Sequence, residues 1–256
     1  MNKMPLAAAL LSACLAVPAS AMHSAAPLPL TANRPVTPVI LDPGHGGDDL
    51  GAVVKGLQEK NIALAVALKL RDKIKGDMPV ALTREDDNYV TLDNRLVESV
   101  DWNGAVFVSI HLNKVRNKKL NGAVVYSFAP QKRGSWARRH KHPKVPPMPA
   151  PPGIEAKESA YLAGSLVKTM RADGFRVEDA KSDYYVLKNP AQPSILVEIG
   201  YLSNPEEAAR LNDPVYQDKL ADSMASAIKA YAHGRSMRAE TATASASAPA
   251  PAPAHL

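Results

Sequence analysis

Apolar and polar positions along the chain alternate between two periods, and each change of period marks a change of element. Val36 to Leu41 is rich in β-branched and apolar residues and is closed by Asp42-Pro43-Gly44, which predicts a buried strand running into a turn. Glu59 to Ile74 instead puts Ile62, Val66, Leu70 and Ile74 on one helical face, with Lys60, Lys69 and Asp72 elsewhere. Gly76 follows as the stop signal. The alternation continues with a strand near Pro79 to Thr83, a helix near Leu92 to Val100 and a fully apolar strand from Ala105 to Ile110. Ala123 to Phe128 reads as a strand, Ser159 to Met170 as a helix, Ser194 to Ile199 as a strand and Tyr216 to Tyr231 as a closing helix.

Strands that alternate with helices, several of them apolar on both faces, predict an α/β fold. We expect a single domain with a mainly parallel, twisted sheet of about six strands and helices on both faces. Ligands in such sheets gather beyond the carboxyl ends of the strands. Two segments break the pattern. The stretch 129–153 carries Lys132-Arg133, Arg138-Arg139, Lys141 and Lys144 and then a run of prolines, so it reads as an exposed basic insertion loop. The tail 234–256 is mostly Ala, Pro, Ser and Thr and is expected to be disordered.

Composition narrows the setting. A chain of 256 residues with 46% hydrophobic content suits one folded domain, expected at 36–233. The formal charge of +6 favours an anionic partner without choosing one. Met1 to Lys3 is a short basic start, Pro5 to Val17 is apolar and Ala19-Ser20-Ala21 offers small residues for cleavage, so 1–21 reads as an export signal and 22–35 as a flexible lead. No stretch approaches the roughly 20 apolar residues that a membrane span requires. Leu11-Ser12-Ala13-Cys14 also resembles a lipoprotein box, which makes a lipid anchor on Cys14 the minority alternative to a free exported protein. Cys14 is the only cysteine, so a mature chain cut after Ala21 would have neither a disulfide nor a thiol nucleophile.

Metal chemistry would then fall to His and carboxylates. His45 follows the first strand, Glu59 starts the first long helix and His111 follows the apolar strand ending at Ile110, so all three can converge at one sheet edge. Two histidines and one carboxylate suffice for a hydrolytic zinc ion that keeps a position for water. Each histidine alone is more often structural, and the joint placement is what points to a site. Gly44, Gly46 and Gly47 remove side chains that would crowd it. Glu198 comes directly after the buried-type run Ser194 to Val197, where a carboxylate costs free energy unless it is paired or used. It is either one half of a buried salt bridge or a general base.

These blocks resemble a family. Val39 to Gly47, Glu59, Ser109-Ile110-His111-Leu112-Asn113 and Leu196 to Asn204, with Thr83-Arg84, Asp86, Leu92 and Arg95 between them, look like the zinc-dependent N-acetylmuramoyl-L-alanine amidases of bacterial wall turnover and cell separation. The resemblance covers about Pro38 to Ala232 in matching order and spacing. It implies that His45, Glu59 and His111 hold one zinc ion and that Glu198 is the general base toward zinc-activated water. It also implies the substrate, the peptidoglycan amide between N-acetylmuramic acid and the L-alanine of the stem peptide, and hence a periplasmic or otherwise exported site of action.

The sequence departs from the family pattern at Leu112, where alanine is common, and across Glu98 to Asn103, which predicts altered packing or stem preference. Where some relatives carry a helix that covers the site until an activator moves it, the proline-rich insertion lacks the periodicity of a docked helix. We therefore expect an open site that needs no activator, and a monomer; the basic loop, with Lys114, Arg116, Lys118 and Lys119, is either a solvated insertion without a partner or a surface that attracts the wall by charge. His140 and His142 read as solvated residues of the basic loop. The rival functions are an exported zinc peptidase acting on the stem and a catalytically inactive wall-binding relative. Nucleic-acid binding conflicts with the export signal and with the lack of aromatic residues among the basic patches.

Overall fold

Strand β1, Val39–Pro43, is buried along its whole length and lies inside the sheet. This computed structural model describes residues 37–100, 106–130, 151, 153–189 and 192–246, and for 98–100, 154 and 242–246 the backbone alone. The expected export signal and lead (1–35), Cys14, most of the basic insertion with His140 and His142, and the last ten residues of the tail lie outside the described residues. After β1 come a short hairpin, β2 (Val53–Val54) and β3 (Leu57–Gln58), helix α1 (Glu59–Ile74), β4 (Val80–Leu82), α2 (Leu92–Val100), β5 (Val106–Asn113) and β6 (Ala123–Phe128). The chain continues through α3 (Gly153–Ala172), β7 (Val177–Ser182), a 3-10 turn (Tyr185–Lys188), β8 (Ser194–Tyr201), α4 (Pro205–Leu211) and α5 (Pro214–Ala246).

The main sheet has six strands in the order β4-β1-β5-β8-β6-β7. Its pairings are parallel except for β6 against β8, so the mainly parallel α/β expectation holds. Side chains on a strand alternate between faces. Val39 and Leu41, Val106, Val108, Ile110 and Leu112, and Ile195, Val197 and Ile199 join α1, α3 and α5 in the larger apolar cluster. Leu70, Leu166 and Met170 are fully buried there, each such side chain contributing about 1.5–3 kcal/mol. The alternate residues Ile40, Phe107 and Leu196 form a smaller cluster with Leu96 of α2 and Val186 and Leu187 of the 3-10 turn. Both faces are covered, but unequally.

Several boundaries differ from the sequence reading. Strand β5 runs on to Asn113, so His111 lies within the strand and not after it, and β8, with Glu198 inside it as expected, extends past Ile199 to Tyr201. Polar side chains on one face leave the backbone ladder free to continue, and pairing persists to Asn113 opposite Tyr201. The closing helix reaches Ala246, well into the stretch expected to be disordered. Alanine is the strongest helix former, and Arg238 anchors this extension through Glu158 of α3 at 2.7 Å and over the Tyr161 ring at 4.4 Å. Strand β7 escaped the sequence reading because it is an edge strand, paired only with β6, and half its residues are charged. Short α4 starts at Asn204, whose side chain accepts from the N–H groups of Glu206 and Glu207, with Pro205 in the first turn.

Asp42 ties the middle of this fold together. Its fully buried carboxylate accepts from Arg95 Nη1 at 2.6 Å, Thr83 Oγ1 at 2.7 Å and Ser109 Oγ at 2.6 Å. Burial alone would raise its pKa, but the Arg95 charge and the hydrogen bonds outweigh burial and hold it below the usual value. A depressed carboxylate contributes stability above its unfolded pKa and loses it as pH falls through the folded one. Asp42→Asn should therefore cost about 3–5 kcal/mol, because it leaves the Arg95 charge buried without its counterion. Urea unfolding at neutral pH measures this, and the gap between parent and variant should shrink in acid as Asp42 is protonated.

Candidate active site

The four residues singled out from the sequence meet at the carboxyl end of β1, β5 and β8. His45 lies in the turn after β1 and has φ of 59°, a left-handed conformation sparsely populated by residues other than glycine. Glu59 is the first residue of α1, where a negative charge suits the helix dipole. His111 projects from β5 on the face of Phe107 and Ser109, and its register partner on β8 is Glu198.

One carboxylate oxygen joins the two imidazoles. Glu59 Oε1 lies 3.1 Å from His45 Nε2 and 3.0 Å from His111 Nδ1, and also accepts from the Leu112 backbone N–H at 2.9 Å. Its Oε2 accepts from Ala52 N–H at 2.7 Å. On the far side of His45, Asp49 Oδ2 takes a hydrogen bond from Nδ1 at 2.9 Å, which turns Nε2 toward Glu59. The rings of His45 and His111 meet edge to face with centroids 5.0 Å apart. Ligand atoms of His45, Glu59 and His111 all lie within 4.8 Å of one another, a donor set of two nitrogens and one oxygen that could hold a metal ion.

Electrostatics follow from this crowding. Burial would raise the Glu59 pKa, but hydrogen bonds and charge from His111 and His45 overcome it and hold the carboxyl far below its ordinary value. Burial works against a charged His45, yet Glu59 and Asp49, one at each ring nitrogen, raise its pKa. Glu198 has no such support. Burial, with the Glu59 charge added, pushes it up to about 7 against the pull of His111 and His45. Part of the side chain meets solvent, but Oε2 is enclosed and has no hydrogen-bond partner among the described residues. Among the described residues, the salt-bridge alternative for Glu198 finds no arginine or lysine at that oxygen. Beside it stand Tyr126 and Tyr184, ring centroids 5.3 Å apart, with burial pushing Tyr126 up to about 12 and so keeping it a neutral donor.

Sequence reasoning missed the residues that support these four. Asp49 stands four residues after His45 in a glycine-rich turn, and that spacing was the available signal. The backbone donors of Ala52 and Leu112 leave no trace in sequence. Leu112 itself is buried in the larger cluster, so the departure from alanine is one of packing. Glycines make room for the ligands: a Cβ on Gly44 would lie 2.3 Å from the His111 ring, and one on Gly51 2.5 Å from that of His45.

An α/β sheet with paired imidazoles, a shared carboxylate and a second acid whose enclosed oxygen has no partner among the described residues has the equipment of a metal-assisted hydrolase. A family model described as N-acetylmuramoyl-L-alanine amidase matches residues 39–230, and the chain belongs to that family. It is 33% identical over 195 residues to the uncharacterized protein YqiI of Bacillus subtilis, covering 75% of this chain and 84% of the relative. Identity to the germination-specific N-acetylmuramoyl-L-alanine amidase of the same species is 31% over 208 residues, with 75% and 78% covered. Against the amidase AmiC of Escherichia coli it is 29% over 223 residues, and the match spans 53% of that relative's length. Among solved structures, the catalytic domain of CwlV from Bacillus (Paenibacillus) polymyxa superposes with a TM-score of 0.61 at 30% identity, covering 77% of this chain and 98% of that one. The CwlD amidase of Clostridioides difficile, solved in complex with the GerS lipoprotein, gives 0.60 at 31% identity, with 77% and 99% covered.

The tight packing of Gly44 on His111 yields a direct test. Gly44→Ala should displace the imidazole and weaken the binding of any divalent metal ion this donor set holds by about 10–100-fold, as loss of supporting contacts around a metal does. Titration against a competing chelator measures it, and unchanged affinity would contradict the geometry.

Proposed function

We propose that the chain is an exported hydrolase that cuts the amide joining the lactyl group of N-acetylmuramic acid to the L-alanine of the peptidoglycan stem. The observation that carries this reading is Glu198, an acid with an enclosed, unpartnered oxygen, in register with His111 on the neighbouring strand. Membership of the amidase family supports the choice of bond. His45, Glu59 and His111 would hold one zinc ion, a metal suited to this donor set, and the space kept by Gly44 and Gly51 supports the fit. Zinc bound there supplies Lewis-acid polarisation of the scissile carbonyl and of the attacking water.

The chain's own residues do the rest. Asp49 fixes the tautomer and aim of His45, and the Leu112 and Ala52 N–H groups keep the Glu59 carboxylate from turning away. Glu198 accepts a proton from the water as its oxygen bonds to the carbonyl carbon, then delivers that proton to the leaving nitrogen as the C–N bond breaks. In the metal-free protein burial pushes this carboxyl up to about 7, above the ordinary carboxylate range and toward the range that suits both halves of that transfer. The products are the free lactyl acid on the glycan and a stem peptide with an L-alanine amine.

Among the described residues no helix is long and apolar enough to cross a membrane. Lys114, Arg116, Lys118 and Lys119 are exposed after β5 and give the wall carboxylates a basic surface to approach. The enzyme is proposed to work as a monomer and without an activator.

Digests of purified wall sacculi should release intact stem peptides beside uncut glycan by mass spectrometry, and a chelator should stop the release. Shortened stems would identify a peptidase instead, and no products a wall-binding relative. Glu198→Gln should lower the rate by about 10²–10⁴-fold and leave bound zinc unchanged; retained activity would remove Glu198 from the mechanism. Purified protein alone should digest sacculi at full rate, and a strict requirement for an added partner would contradict the open site.

A further inference from the structure

His45 sits on a backbone turned into the left-handed region, uncommon for a residue with a side chain. Its φ of 59° is a conformation that persists in a non-glycine residue only when the surroundings fix it. Three successive carbonyls there, of Pro43, Gly44 and His45, are all taken by two buried guanidinium groups. Arg95 gives Nη1 to Pro43 O at 2.9 Å and Nη2 to His45 O at 2.9 Å. Arg84 gives Nε to Pro43 O at 3.0 Å and Nη2 to Gly44 O at 2.8 Å.

The same forks reach the other elements of the site. Arg84 Nη2 also donates to Lys60 O at 2.8 Å, the residue after Glu59, so one side chain spans the His45 turn and the start of α1. Arg95 is itself held by Asp42 Oδ1 at 2.6 Å. Both arginines are almost fully enclosed, 4% and 3% exposed, and placing two cations side by side in the interior is costly. Apolar side chains could fill the same space for stability alone. What they could not do is hold carbonyls two residues apart from one rigid, planar group.

We propose that Arg84 and Arg95 are positioning residues for the metal centre, gripping the carbonyls of Pro43, Gly44 and His45 so that the His45 imidazole stays aimed at Glu59 and His111. This rests on the reading of His45 as a metal ligand. The clamp acts on the backbone of the ligand, whereas Asp49 acts on its ring. Lysine at either position keeps the charge and loses the fork, so a lysine variant tests the geometry and not the charge.

The test is the zinc affinity of the full chain, read by competition with a chelating dye, for the parent, Arg84→Lys, Arg95→Lys, His45→Ala and the core variant Leu166→Ala. Both lysine variants should bind zinc at least about tenfold more weakly than the parent, the scale of a lost supporting contact. Leu166→Ala, buried on α3, should lower the melting temperature and leave the affinity within about twofold, which separates positioning from general loss of stability. Either lysine variant suffices if the other does not fold. Parent-like affinity in the lysine variants, with His45→Ala defective, overturns the clamp and leaves the metal site standing. An equal loss in Leu166→Ala also overturns it, and parent-like affinity in His45→Ala removes clamp and site together.

Discussion

A single oxygen atom, Glu59 Oε1, is the point on which three separate parts of the chain converge. It faces His45 Nε2, His111 Nδ1 and the Leu112 N–H at once, within 3.1 Å of each. Two imidazole nitrogens share one carboxylate oxygen comfortably only with a proton or a cation among them, and the raised His45 and depressed Glu59 pKa values express that demand. The turn after β1, the start of α1 and the end of β5 are thereby locked to one another. In the proposed function a zinc ion satisfies the same demand.

The sheet decides what stands beside that point. Parallel pairing of β5 with β8 puts His111 opposite Glu198, and strict alternation sends the neighbours of each into the larger core. The face left to His111 and Glu198 carries only the smaller cluster under α2 and the 3-10 turn. A largely enclosed acid therefore sits next to the donor set, with one oxygen unpartnered among the described residues, which suits a group that moves a proton. Asp42 and the two arginines lie one layer below, linking β1, β5 and α2.

Much of this was legible in the residues. The spacing of Ile62, Val66, Leu70 and Ile74 defined α1 to both ends, and the apolar runs located β1, β5 and β8. His45, Glu59, His111 and Glu198 could be picked out because each is a polar residue at the edge of an apolar run. Strand ends were less legible, since a histidine or glutamate on one face does not interrupt the backbone ladder. Charged β7 has no apolar run to betray it, and the alanine-rich end of α5 resembles a disordered tail in composition while its helix is held by Arg238 and Glu158. The grip of Arg84 and Arg95 was illegible because its partners are carbonyls, which every residue possesses.

Anomalous diffraction at the zinc edge, from crystals of the protein grown with the metal, locates the ion and its ligands in one experiment. One strong peak coordinated by His45, Glu59 and His111 is expected, with the Glu198 carboxylate near but outside the coordination shell. A peak ligated by Glu198, or a site formed by other residues with these three apart, would contradict this arrangement.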